Sequence, residues 1–130
     1  MKRPVDSAEV PFRVWYEGTN REIHGKALSD VGGQAKVGVG LMQLPPGCNT
    51  RPGHWHSLEE EHLYALSGSA VLHLGTELHA LGPGSYVCLP AGQAAAHHLD
   101  NRGTEPFVYL IIGERIAEDT VTYPDGDVPA

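Results

Sequence analysis

Glycine and proline recur every few residues along this chain of 130 amino acids and limit the length of any regular element. The 16 glycines and 10 prolines are spread out rather than gathered in one low-complexity tract. Between them lie short segments in which apolar residues alternate with small or polar ones, a pattern typical of half-buried strands. No helical pattern exceeds two turns. The sequence therefore predicts an all-β fold of short antiparallel strands, arranged as a sandwich or a barrel.

The predicted strands follow one another at nearly even spacing. They cover residues 12–17, 36–44, 50–56, 61–66, 69–74, 77–80, 85–89, 97–101 and 107–112. Residues 18–33 show only weak turn and loop signals, with one helical turn near 26–30. Since no linker or repeat divides the chain, we expect a single domain over residues 1–130. Its expected parts are a lead-in over 1–11, a core barrel over 36–113 and a C-terminal tail over 118–130.

Composition and charge argue against several classes of protein. The formal net charge is −7 and the pI is near 5.5, without the basic patch of a nucleic-acid-binding protein. No apolar run approaches the roughly 20 residues of a membrane span, and no apolar segment follows the charged start as in a signal peptide. We therefore expect a cytoplasmic protein without nucleic-acid or membrane partners. In that reducing compartment, Cys48 and Cys88 are expected as free thiols.

The segment from His54 to Glu61 carries the clearest functional signal. Side chains alternate between the two faces of a strand, so His54 and His56 are predicted to project to the same side. Glu61 opens the next predicted strand after a short bend, and its carboxylate can return to the two imidazoles. A fourth ligand must come from another strand, and His97 is the best placed.

This set of side chains is typical of a metal site. Three imidazoles and one carboxylate suit one divalent first-row ion, namely Mn, Fe, Co, Ni or Zn. Closed structural zinc sites usually include cysteine, and neither cysteine falls in the motif. Four protein ligands would leave positions open on an octahedral ion for water or a small substrate.

The same residues form a pattern that resembles the first motif of the cupin family. That motif runs Gly, five residues, His-x-His, three or four residues, Glu, six residues, Gly. Here Gly47 precedes His54 with one extra residue, and Glu61 precedes Gly68 at the family spacing. Glu60 is a rival ligand because it fits the shorter spacing, but the distance to Gly68 favours Glu61.

A second stretch resembles the second cupin motif, which runs Gly, five residues, Pro-x-Gly, two residues, His, three residues, Asn. Here Gly84 precedes residues 90–92 (Pro-Ala-Gly), and two extra residues lengthen the turn before His97. The longer turn makes His98 a rival ligand. The spacing to Asn101 favours His97, and strand parity would then turn His98 outward. The resemblance covers about residues 36–125 and implies a double-stranded β-helix, the jelly-roll or cupin barrel.

Strand parity and side-chain chemistry also indicate a pocket around the predicted metal. The candidates for its lining are Gln43, Leu63, Ala65, Leu99, Asn101 and Tyr109. No residue is singled out as the catalytic acid or base.

Two functions remain open from the sequence. The complete ligand set favours a metal-dependent enzyme that acts on a small oxygenated organic molecule, as a dioxygenase, isomerase, lyase or cyclase. The absence of an evident proton-transfer partner beside the ligands favours the alternative, a cupin that binds a sugar or an aromatic compound without turnover. The resemblance further implies a homodimer that pairs through one sheet, often with exchanged N-terminal strands.

Overall fold

Short strands are the main regular elements of the computed structural model, which describes residues 3–33 and 36–124. The strands are β1 (Arg13–Trp15), β2 (Ile23–Ala27), β3 (Val37–Leu44), β4 (Trp55–His56), β5 (Glu61–Ser67), β6 (Ala70–Leu74), β7 (Glu77–Leu81), β8 (Tyr86–Leu89), β9 (His97–Asp100), β10 (Phe107–Glu114) and β11 (Val121–Thr122). A 3-10 turn (Ser7–Glu9) and one helix, α1 (Leu28–Val31), complete them. Within the described residues, no helix has the length and apolar character needed to cross a membrane.

The strands pair in an order that brings distant parts of the chain together. The largest sheet has the order β1-β2-β3-β10-β5-β8, a second has the order β7-β6-β9, and β11 pairs with β4. Every pairing is antiparallel. This is the topology of a jelly-roll barrel, and the predicted fold class is confirmed.

Strand register decides which side chains fill the barrel. Leu63 of β5 pairs with Ile111 of β10 on one side and with Val87 of β8 on the other. Alternate residues on these strands face inward and bury their apolar surface, the dominant favourable term in folding. The core consists of Leu44, Cys48, Leu63, Ala65, Ala70, Leu72, Leu81, Leu99, Phe107 and Tyr109.

Strand β2 lies within residues 18–33, where the sequence predicts turns and loops. Its sequence lacks apolar alternation because the inward position is Gly25, where a Cβ atom would lie 2.9 Å from the side chain of Met42. Lys26 is buried, and its ammonium group donates to the carbonyl of Ser7 and lies 4.4 Å from the ring centroid of Phe12. A glycine and a lysine therefore occupy positions that an isolated strand pattern would fill with apolar residues.

Two other segments also differ from the prediction. The strand predicted over residues 50–56 is reduced to β4, because Pro52 has no N–H group to continue a ladder. The predicted tail contains β11, whose Thr122 pairs with Trp55. Residues 125–130 of that tail lie outside the described residues. The helical turn expected near 26–30 is present as α1.

Asn101 braces the loop between β9 and β10 from a fully buried position. Its Nδ2 donates to the carbonyl oxygens of Leu44 and Glu105, both at 2.9 Å. Its Oδ1 accepts a hydrogen bond from the N–H group of Gly103, also at 2.9 Å. One side chain therefore satisfies three backbone groups at the end of the barrel.

We predict that Asn101→Ala lowers the free energy of unfolding by about 2 to 3 kcal/mol, because buried backbone groups lose their partners. Urea denaturation followed by circular dichroism measures this change. The matched control is Asn20→Ala on the exposed surface, which should change stability by less than about 0.5 kcal/mol. Equal stability of the two variants would show that Asn101 does not brace the loop.

Candidate metal centre

Strands β4, β5 and β9, together with His54 just before β4, bring the four predicted ligands close to one another. The ligand atoms of His54, His56 and Glu61 all lie within 4.8 Å of one another. His97 joins them through a bridge in which its N–H group donates to the carbonyl of His54 at 3.0 Å. Nε2 of His97 lies 3.7 Å from Oε1 of Glu61, and its ring centroid lies 4.6 Å from that of His54. The structure thus places all four side chains around one point.

His56 and Glu61 face each other in an arrangement that calls for a positive charge. Nε2 of His56 lies 2.7 Å from Oε1 of Glu61. Both atoms are buried, and their contact lacks the geometry of a hydrogen bond, so neither has a partner among the described residues. The carboxylates of Glu59, Glu61 and Asp119 lie around the ring of His56, so negative charge is concentrated at this place. A buried donor set with unpartnered atoms and surplus negative charge fits a divalent cation.

Asp119 decides which nitrogen of His56 carries the proton. Its Oδ2 lies 2.7 Å from Nδ1 of His56, and its Oδ1 accepts hydrogen bonds from the N–H groups of Leu58 and Glu59. A proton held on Nδ1 leaves Nε2 as the ring nitrogen that would coordinate a metal. Carboxylates commonly orient metal-binding histidines in this way.

The ionisation of Asp119 agrees with this role. Its side chain is only 6% exposed. Burial raises the pKa of the carboxyl, but hydrogen bonds from His56 and from the N–H groups of Leu58 and Glu59 outweigh burial and lower the pKa to about 2. Sequence reasoning missed Asp119 because it lies 63 residues after His56 and outside both motifs. Only the pairing of β11 with β4 brings it to the site.

Burial also keeps two of the histidines neutral. It lowers the pKa of His97 to about 3, and the neighbouring His54 and His56 act in the same direction. Burial, followed by the charge of His56, lowers the pKa of His54. Neutral imidazoles keep the lone pair that metal coordination requires. For Glu61, burial raises the pKa, while the charge of His56 opposes that effect.

Glu61 separates two cavities of different size. A pocket of about 30 Å³ is walled by His56, Glu61 and His97 among others, which is room for an ion or a water molecule. A cavity of about 250 Å³ lies against Glu61 from another direction. Its lining includes Trp15, Gly25, Gly38, Gly40, Met42, Ile111 and Gly113. This second cavity has space for a small organic molecule next to Glu61.

Glycines shape the larger cavity. A Cβ atom at Gly40 would lie 3.2 Å from Cγ2 of Ile111, and one at Gly113 would lie 3.3 Å from Cγ of Glu61. These positions face the barrel interior on β3 and β10, where other strands carry large core residues. The space beside Glu61 therefore exists because these inward positions have no side chain.

The rival ligands lie apart from this centre. Glu60 contacts Nε2 of His62 at 2.9 Å, and both residues form a separate group with Cys88. The ring of His98 stacks on that of His73, with centroids 4.1 Å apart. The parity that directs Glu61 and His97 inward turns these neighbours to the outer surface.

The residues proposed from the sequence as pocket lining take other positions. Four of them pack in the hydrophobic core, namely Leu63, Ala65, Leu99 and Tyr109. Asn101 braces a loop, and Gln43 pairs with His24 and Val108 on neighbouring strands. Parity identifies inward residues, but it does not separate those that fill the core from those that border a cavity.

The cupin-domain family matches residues 40–113, which is more than half of the chain. The chain belongs to the cupin family. The resemblance inferred from the two motifs is therefore confirmed. No curated protein sequence matches this cupin.

Solved structures of other cupin-fold proteins are similar to this cupin over most of its length. One from Acidithiobacillus ferrooxidans, provisionally named a sugar phosphate isomerase, is 35% identical with a TM-score of 0.80. The match covers 90% of this chain and 74% of the Acidithiobacillus chain. A sugar phosphate isomerase from Silicibacter pomeroyi is 27% identical with a TM-score of 0.86, covering 96% and 83%. The polyketide cyclase RemF from Streptomyces resistomycificus is 20% identical with a TM-score of 0.80, covering 95% and 86%. At that identity, RemF supports the fold alone.

We predict that Glu61→Gln raises the free energy of unfolding of the metal-free protein by about 1 to 2 kcal/mol. Glutamine removes the cost of burying a carboxylate, the same cost that raises the pKa of Glu61, and its amide group can still form a hydrogen bond with Nε2 of His56. Urea denaturation in the presence of a chelator measures this effect. The control is Glu77→Gln, at an exposed carboxylate, which should leave stability unchanged. A loss of stability in Glu61→Gln would contradict this reading of the His56–Glu61 contact.

Proposed function

We propose that this cupin binds one divalent transition-metal ion through His54, His56, Glu61 and His97, and that it isomerises a small hydroxy-carbonyl compound. The observation that carries the metal proposal is the buried contact between His56 and Glu61, in which neither atom has a hydrogen-bond partner among the described residues. The ion is Mn, Fe, Co, Ni or Zn, because the donor set combines imidazole nitrogen with carboxylate oxygen.

The reaction class follows from chemistry and from the named relatives. Two similar proteins, at 35% and 27% identity, carry the name sugar phosphate isomerase. Interconversion of an aldose and a ketose moves a proton between neighbouring carbons, one bearing a carbonyl and the other a hydroxyl group. A bound divalent ion would supply Lewis-acid polarisation of such oxygens.

The residues of the chain contribute position and control of charge. Asp119 orients the ring of His56, with Nε2 directed at the centre. The 250 Å³ cavity would admit a substrate beside Glu61, and Trp15, Met42 and Ile111 give part of it apolar walls. A substrate that fills this cavity would displace water from Glu61, so electrostatic interactions at the centre would become stronger.

A second function, binding without turnover, is favoured by one observation. Beside Glu61, the 250 Å³ cavity has Glu114 as its other carboxylate among the described residues. Oε1 of Glu114 already accepts a hydrogen bond from the N–H group of Glu60. A cavity without a dedicated proton acceptor would suit a cupin that binds a sugar or an aromatic compound.

We further propose that the whole chain acts as one domain, that it works in the cytoplasm and that two copies form a dimer. Cys48 and Cys88 are both free thiols, which agrees with a reducing compartment. Strand β1 lies at the edge of the largest sheet, and the exposed side chains of Phe12, Val14 and Tyr16 surround it. Pairing of two such edges would cover both apolar surface and unpaired backbone groups.

We predict that His56→Ala abolishes stoichiometric metal binding while the barrel still folds. Asp119→Asn should keep the ligands but weaken metal affinity by about 10-fold to 100-fold, because the orienting carboxylate is lost. Metal-stripped protein titrated calorimetrically with each of the five ions measures both effects. Asp30→Asn, on the surface, is the matched control. Full metal occupancy in His56→Ala would disprove the proposed site.

We predict that the metal-loaded protein transfers deuterium from D₂O to the carbon beside the carbonyl of an aldose or ketose substrate. Proton NMR detects the exchange together with the isomerised product. Removal of the metal should abolish both signals. Tight binding of a sugar without exchange would instead support the binding function. Consumption of oxygen, or loss of a carbon–carbon bond, would replace isomerisation by the dioxygenase or lyase reaction, and ring closure would indicate a cyclase.

A further inference from the structure

A third cavity, of about 150 Å³, adjoins the proposed metal centre at His54. It shares no lining residue with the 250 Å³ cavity, although the neighbouring residues Trp15 and Tyr16 line one each. The polar side chains that line the third cavity are Tyr16, Arg21, Thr50, Arg51, His54 and Tyr123. None of its described lining residues is acidic.

Two arginines give this cavity a positive character in an otherwise acidic protein of net charge −7. Within residues 3–33 and 36–124, Arg21 and Arg51 form no ion pair, whereas Arg102 is paired with Asp100 at 2.8 Å. The guanidinium of Arg21 lies 5.1 Å from the ring centroid of Tyr16, a contact that leaves its charge available to a ligand. Two guanidinium groups beside one cavity, without a carboxylate partner in the described part of the chain, favour an anion.

Neutral groups in the cavity add hydrogen-bond donors. Thr50 Oγ1 accepts a hydrogen bond from the N–H group of Leu99 at 2.8 Å, so its own hydroxyl proton remains to be donated. Tyr123 packs against His54 with ring centroids 5.8 Å apart. Tyr16 has a left-handed backbone with φ of 54°, and the N–H and hydroxyl groups of Thr19 donate to its carbonyl. A bulky residue in this conformation is uncommon and often marks a functional position.

The size of the cavity indicates which part of a ligand it would hold. A volume of 150 Å³ is about half of the ~300 Å³ at which pockets begin to enclose whole ligands. One tetrahedral anionic group fits such a space, while the rest of the molecule would extend past His54 to the centre. Guanidinium groups bind phosphate oxygens in pairs, which fixes orientation as well as affinity.

We propose that this cavity binds the phosphate group of a phosphorylated small-molecule substrate, with Arg21 and Arg51 as its anion-binding residues. The inference rests on the proposed function, because it assigns the substrate class of the same site. The phosphate group of such a substrate lies away from the reacting carbons. Its binding would position the hydroxy-carbonyl end of the substrate at the metal centre.

The test measures binding of inorganic phosphate to metal-free protein by calorimetry at constant ionic strength. Wild-type protein should bind one phosphate, and Arg21→Gln and Arg51→Gln should each weaken binding about tenfold or more. Arg51→Lys keeps the charge and should restore part of the affinity. Arg102→Gln, at a paired surface arginine, is the matched control and should bind as wild type does. Circular dichroism verifies that each variant is folded.

A second arm compares a hexose phosphate with the matching unphosphorylated hexose. The wild-type protein should bind the phosphorylated sugar at least tenfold more tightly, and that preference should disappear in Arg21→Gln/Arg51→Gln. Equal phosphate affinity in wild type and in the double variant would overturn the proposal, as would phosphate binding that requires added metal. Because the first arm uses no metal and no turnover, phosphate binding with the predicted arginine dependence would support this subsite even if the isomerase assay failed.

Discussion

The contact between His56 and Glu61 is the constraint on which the rest of the site depends. The β-sheets hold Nε2 of His56 and Oε1 of Glu61 2.7 Å apart in a buried place, where neither atom has a hydrogen-bond partner among the described residues. Asp119 contacts Nδ1 of the same ring and orients Nε2 toward Glu61. Pairing of β4 with β11 and of β5 with β10 holds these side chains in place. A cation bound here would offset the cost of burying the carboxylate and would stabilise the folded protein.

The two sides of this contact would bind different parts of a substrate. On the side of Glu61, inward-facing glycines such as Gly40 and Gly113 leave a cavity large enough for a carbon skeleton. On the side of His54, Arg21 and Arg51 border a smaller space suited to an anionic group. A site of this form would hold a substrate at two points and present its reactive end to the centre.

Much of this architecture could be predicted from the sequence, because it depends on local patterns. Alternation and turn residues located most strands, and the spacing of the motifs selected His54, His56, Glu61 and His97, which the structure brings together. Asp119 could not be predicted, because its role depends on a strand pairing across 63 residues of sequence.

The cavities could not be predicted from sequence patterns either. Strand β2 could not be predicted from apolar alternation, because its inward position is Gly25 and because Lys26 is buried under the N-terminal segment. Parity marked Leu63 and Tyr109 as inward residues, and they fill the core. The cavity beside Glu61 exists because inward positions carry glycine. In a sequence pattern, a glycine weakens the prediction of a strand and does not indicate a binding surface.

The most direct measurement is a crystal structure of the metal-loaded protein with anomalous diffraction recorded at the absorption edge of the ion. The account predicts one anomalous peak within about 2.0 to 2.2 Å of a nitrogen or oxygen atom of His54, His56, Glu61 and His97. A fully loaded crystal without a peak between His56 and Glu61, or with its peak at Glu60, His62 and Cys88 instead, would contradict it.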